Sequence, residues 1–261
     1  MRDPRHGIIG MAASWLMMMD LPRPEGRASH SRPGARVAGR RILGWFPILA
    51  AVNGLLLAFA GLLVGVLSNR FAGAAAFAVL TFAYMVARHS GRGWVVLMSW
   101  LLNLRDGCGF SGALSLASAD RSELDRDWAG VVLTVLAILT LLILFLIGLF
   151  GSRCFVTLVL VGSAAVQGEL MTALPPEEGG IPDPRRFGRL VMWILTALSG
   201  VVWALFYPVA TALCAVAAGL AVWRIGVRRA AEPGLTLDEA LWIEAATEAA
   251  LLISCFLWTV R

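Results

Sequence analysis

WAGVVLTVLAILTLLILFLIGLFGS, residues 128–152, contains no charged side chain from end to end. A helix that is apolar on every face belongs either in the centre of a large protein or in a bilayer. A run of this length is also long enough to cross a hydrocarbon layer of roughly 30 Å. The neighbouring stretches repeat the pattern. Upstream lie ILGWFPILAAVNGLLLAFAGLLVGVL (42–67) and FAGAAAFAVLTFAYMVA (71–87). Downstream, CFVTLVLVGSAAVQG (154–168) continues past Glu169 into LMTAL, and LVMWILTALSGVVWALFYPVATALCAVAAGLAVW (190–223) is long enough for two spans. The step Tyr207-Pro208 divides that last stretch, because proline cannot continue a helix without losing a hydrogen bond. With an apolar segment over 238–260, the chain is expected to be an all-α, polytopic membrane bundle of about seven transmembrane helices.

Composition agrees: 59% of the 261 residues are hydrophobic and 15% charged, outside the balance of soluble domains. All 22 basic residues are arginine. With the spans as drawn, they collect on one side, in the N-terminal arm and around 88–126, 185–189 and 224–229. Only Arg70, Arg153 and Arg261 fall on the other. Short cytoplasmic loops gather positive charge, so the N-terminus is expected to be cytoplasmic. Topology therefore accounts for the basic balance and gives no reason to expect nucleic acid. There is no P-loop, heptad seam or haem-attachment sequence, and the oligomeric state stays open. Cys108, Cys154, Cys214 and Cys255 show no C-x-x-C spacing and read as small packing residues.

No internal repeat divides the chain, so 1–261 reads as one membrane-embedded domain. Residues 1–41 would form an interfacial helix or half-span followed by a cytoplasmic arm, and 42–261 the bundle. MRDPRHGIIGMAASWLMMMD (1–20) has basic residues before an apolar run but no small-x-small cleavage site. WVVLMSWLLNL (94–104) is too short to span and reads as a re-entrant or interfacial piece. The stretch after it carries Asp106, Asp120, Glu123, Asp125 and Asp127. These either form a solvated loop that caps the next span or cluster around a divalent ion, since hard cations take oxygen ligands.

GLTLDEALWIEAATEAALLI (234–253) places four carboxylates at the entrance to the last apolar segment. Thr236 is a plausible N-cap, with Asp238 and Glu239 in the first turn, where the helix dipole favours negative charge. Glu244 and Glu248 share one helix face and lie deeper. Acidic groups at that depth face a cavity or a partner.

Three patches together resemble the cobalamin-5′-phosphate synthase family, the adenosylcobinamide-GDP ribazoletransferases. They are Leu21-Pro22-Arg23-Pro24 near the start, Phe46-Pro47 with Gly54 at the first full span, and Gly234-x-Thr236-x-Asp238 followed by Glu248. The resemblance implies phosphoryl-group transfer at the cytoplasmic face. A hydroxyl of α-ribazole or its 5′-phosphate would attack adenosylcobinamide-GDP with loss of GMP, and Mg2+ would spread the phosphate charge. It assigns catalysis to Asp238, Glu248 and Glu244, and substrate binding to Arg92, Thr236, Pro22 and Pro24. The family's acidic motif D-G-x-x-D-x-x-D-G falls at HSGRGWVVLMSW (89–100). Gly93 matches there, but Arg92, Val96 and Ser99 stand in the aspartate places. Leu237 stands for the usual glycine, and Ala245 for a glutamate, with Glu244 one place early. Replacement metal ligands would come from Asp106, Asp127 or Asp238, and His89 is a candidate base. Two other readings stay open: a catalytically inactive relative acting as a binding or assembly partner, and a small-molecule transporter suggested by Asn53, Gln167 and Glu169. For Gln167 and Glu169, interhelical hydrogen bonding is the plainer expectation.

Overall fold

In the computed structural model, residues 43–89, 92–105, 107, 126–174, 186–230 and 235–260 are described. A 3-10 turn, Leu43–Trp45, leads into α1 (Phe46–Leu67). There follow α2 (Arg70–His89), α3 (Arg92–Arg105), α4 (Arg126–Phe150), α5 (Phe155–Ala173), α6 (Arg186–Phe206), α7 (Pro208–Arg229) and α8 (Leu237–Thr259). Among the described residues there is no strand, and the fold is an all-α bundle. Seven of the helices, all but α3, are long and apolar enough to cross a membrane. The coarse reading of a multi-pass membrane protein therefore holds. The expected interfacial helix and arm over 1–41 lie outside the described residues, as do Cys108 and the acidic stretch 108–125.

The helix boundaries follow the local chemistry. Pro47 and Pro208 occupy the first turns of α1 and α7, where no intrahelical N–H is needed. Tyr207 breaks the long apolar stretch between α6 and α7 at the expected step. The far ends of the bundle are closed by the two internal arginines that stand apart from the rest. Arg70 donates to the Leu149 carbonyl, and Arg153 Nε donates to the Gly148 carbonyl at 3.2 Å. Both therefore serve the C-terminal carbonyls of α4, which have no partner within the helix and carry the negative end of its dipole.

The fifth helix is the axis of the molecule: 89% of the span Phe155–Ala173 is buried. Helices α1, α6, α7 and α8 pack against it, α2 joins α1 to α4, and α3 lies against α8 and α4. The core combines Phe46, Phe77, Leu144, Phe155, Leu160 and Leu251. Glycines allow the closest approaches. A methyl group at Gly54 would lie 2.6 Å from the Thr157 Cα, and one at Gly73 would lie 2.6 Å from the Gly65 Cα. Gly61 and Gly65 on α1 form a G-x-x-x-G pair against α2, the small-residue interface that lets membrane helices pack without a hydrophobic driving force. Cys214 and Cys255 are buried with their sulfurs 4.0 Å apart, between α7 and α8, in keeping with their reading as packing residues. By contrast α6 is peripheral, with only 6% of its span buried.

Candidate functional site

Three helices bring polar side chains together inside the arginine-rich end of the bundle. Arg88 closes α2, Gln167 comes from the last turns of α5, and Glu244 and Glu248 come from α8. An isolated guanidinium or carboxylate at that depth is costly, so such groups persist only when paired. Arg88 is 0% exposed, Glu248 0% and Glu244 7%. One Arg88 nitrogen, Nη2, donates to Gln167 Oε1 at 2.8 Å and lies 3.5 Å from Glu244 Oε1. The other, Nη1, is 3.9 Å from Glu248 Oε1. A turn before Arg88 on the same helix, Tyr84 accepts a hydrogen bond from Asn53 Nδ2 of α1 at 2.9 Å. Asn53, which suggested a transport path, is thus engaged within the bundle.

Two further carboxylates near the same end are engaged by arginines. Glu169 on α5, 2% exposed, accepts from Arg189 Nε at 2.6 Å and from the Trp193 indole. Glu239 accepts from Arg224 Nη2 at 3.1 Å and Arg228 Nε at 2.7 Å, fastening the start of α8 to the end of α7. The bonds of Gln167 and Glu169 are interhelical, as expected. The Trp100 and Trp242 rings, with centroids 5.1 Å apart and nearly edge to face, hold α3 on α8.

The residues assigned from the sequence divide into three groups. Glu244 and Glu248 do face inward together and meet Arg88. Thr236 caps α8 by accepting from the Glu239 amide at 3.3 Å, with its side chain at the surface. Pro22, Pro24 and Asp106 lie outside the described residues, and so do the side chains of His89, Arg92, Asp127 and Asp238. Of the residues standing where the family has aspartates, Val96 and Ser99 are buried on α3, 2% and 4% exposed. Arg88 was read from the sequence as one more topogenic arginine. Its signal was positional, since it interrupts no loop but ends an apolar helix one turn after Tyr84.

A magnesium ion is what the resemblance implies here, and its candidate ligands Asp106, Asp127 and Asp238 lie outside the described side chains. Mg2+ requires an octahedron of oxygen ligands. Glu244 and Glu248 of α8 share one guanidinium, which also donates to the Gln167 oxygen. Among the described residues no group of three or more His, Cys, Asp or Glu side chains converges.

No family model matches the chain, and no curated protein or solved structure does either. The geometry of Arg88, Gln167, Glu244 and Glu248 is therefore what any functional reading has to explain.

Proposed function

We propose that this chain is a non-catalytic relative of the cobalamin-5′-phosphate synthases. It would reside in a bacterial inner membrane with its N-terminal arm in the cytoplasm and bind a corrinoid nucleotide at the cytoplasmic face. The observation that carries the reading is Arg88. A buried guanidinium faces Glu248, which the family pattern would direct to metal-bound phosphates, and Glu244 beside it, so part of their counter-charge is built into the protein. The corrinoid is supplied by the resemblance of the three sequence patches. The arginine-rich cytoplasmic loops suit an anionic nucleotide, because guanidinium groups pair well with phosphate oxygens.

The transferase reading keeps one support, the common face of Glu244 and Glu248 at the arginine-rich end of α8. One experiment separates the two. Detergent-purified protein is given adenosylcobinamide-GDP and α-ribazole 5′-phosphate, with and without Mg2+, beside an intact family member. Saturable binding of adenosylcobinamide-GDP without GMP release is the expected result. Magnesium-dependent GMP release that vanishes in Glu248→Gln would establish the transferase instead. Absence of binding by a folded sample would overturn the corrinoid assignment.

A further inference from the structure

Peripheral α6 and its partner α7 do not close on each other. Between them, over α5, runs an apolar groove of about 670 Å3, within the ~300–1,000 Å3 typical of small-molecule sites. Its walls are small side chains, among them Gly200 and Ala204 on α6 and Ala215 and Gly219 on α7. A side chain added at Gly200 or Gly219 would meet nothing within 4 Å. These glycines therefore serve no contact within the chain, although glycine is a poor helix former. The flanks, Leu198 and Val201 on α6 and Val216 and Leu220 on α7, are exposed and in a bilayer would face lipid.

The mouth of the groove carries charge. Residues four and seven apart share a helix face, so the wall through Trp193 and Thr196 continues to Arg189. The wall through Gly219 and Val222 likewise continues to Arg229. Arg189 keeps 44% of its side chain exposed while pairing with Glu169, and Arg229 is exposed on the last turn of α7. Among the described side chains here, Arg189, Arg224, Arg228 and Arg229 stand against two carboxylates, Glu169 and Glu239. The apolar walls begin about one helical turn, ~5 Å, below Arg189, which is the depth of a glycerol backbone beneath its phosphate.

We infer that the α6–α7 groove holds one hydrocarbon chain of an anionic phospholipid, with the phosphate on Arg189 and Arg229. Basic pockets between membrane helices recognise anionic headgroups in this way, each arginine near the surface favouring the anionic lipid about fivefold. None of the groove's lining residues belongs to the Arg88 cluster, so the inference does not rest on the corrinoid reading.

The test uses the full chain, reconstituted in vesicles of equimolar phosphatidylglycerol and phosphatidylcholine with identical palmitoyl and oleoyl chains. The protein is extracted in mild detergent, and the retained lipid is identified by native mass spectrometry. One retained phosphatidylglycerol per chain, enriched at least fivefold over phosphatidylcholine, is expected. Arg229→Gln should reduce that enrichment several-fold. Gly200→Leu with Gly219→Leu should abolish retention without lowering the melting temperature, because each new Cβ enters open space and leucine is the better helix former. Equal retention of the two lipids, or undiminished retention in the leucine variant, would overturn the inference. A wild-type dimer that the leucine variant converts to monomer would also overturn it, assigning the groove to a second copy of the chain.

Discussion

Arg88 makes a quantitative demand on its surroundings. Removing one partner of a buried ion pair leaves the remaining charge without compensation, at a cost of about 3–5 kcal/mol. Arg88→Met should therefore melt far below the parent protein in the same detergent. Adding Glu244→Gln and Glu248→Gln to that variant should recover much of the loss. If Arg88→Met melts with the parent, the cluster is not what holds these helices. The partner choices could not be read from the sequence. Local spacing placed Glu244 and Glu248 on one face, but nothing in the spacing says that α2 delivers a cation to them. Glu239 shows the same limit. It was legible as a first-turn residue favoured by the helix dipole, whereas its ion pairs with Arg224 and Arg228 depend on how α7 and α8 lie together.

At the scale of elements, hydropathy and proline placement located the helices well. The break at Tyr207-Pro208, the non-spanning apolar piece over 94–104 and the cap at Thr236 are properties of contiguous residues, and contiguous residues are what a sequence displays. Which glycines matter is a property of crossings. Gly73 touches Gly61 and Gly65 of α1, so Gly73→Val must push two backbones apart, at a cost of about 1–3 kcal/mol for overpacking. Gly226 on α7 has open space around it, and Gly226→Ala should leave the melting temperature unchanged or slightly raised. Thermal unfolding of the two variants side by side checks the contrast. Equal effects would mean that the α1–α2 crossing is looser than described.

Across the whole molecule, the described arginines divide between the two ends of the bundle. Arg88, Arg189, Arg224, Arg228 and Arg229 lie at one end, while Arg70 and Arg153 cap α4 at the other. The proposed orientation can be measured in a background with Cys108→Ser and Cys154→Ser, in which Cys214 and Cys255 stay buried, with one cysteine added at an exposed position. Ser68→Cys should react with an impermeant maleimide added to intact spheroplasts, and Ala230→Cys only after permeabilisation. The opposite pattern would invert the topology.

The burial of α5 bears on how the protein is made. Its span has the lowest mean hydropathy of the seven, 1.5, and it carries Gln167 and Glu169, so it is a poor candidate to stay in lipid alone. Arg88 leaves the ribosome long before Glu244 and Glu248, which complete its ion pairs. During synthesis, then, a bare guanidinium waits at the membrane surface while four more spans are inserted. Membrane helices insert first and associate afterwards, and here the association step cannot finish until α8 arrives. A nascent chain halted before Leu237 would hold an arginine with no counter-charge and a central helix with one flank open, the kind of intermediate that membrane quality control removes.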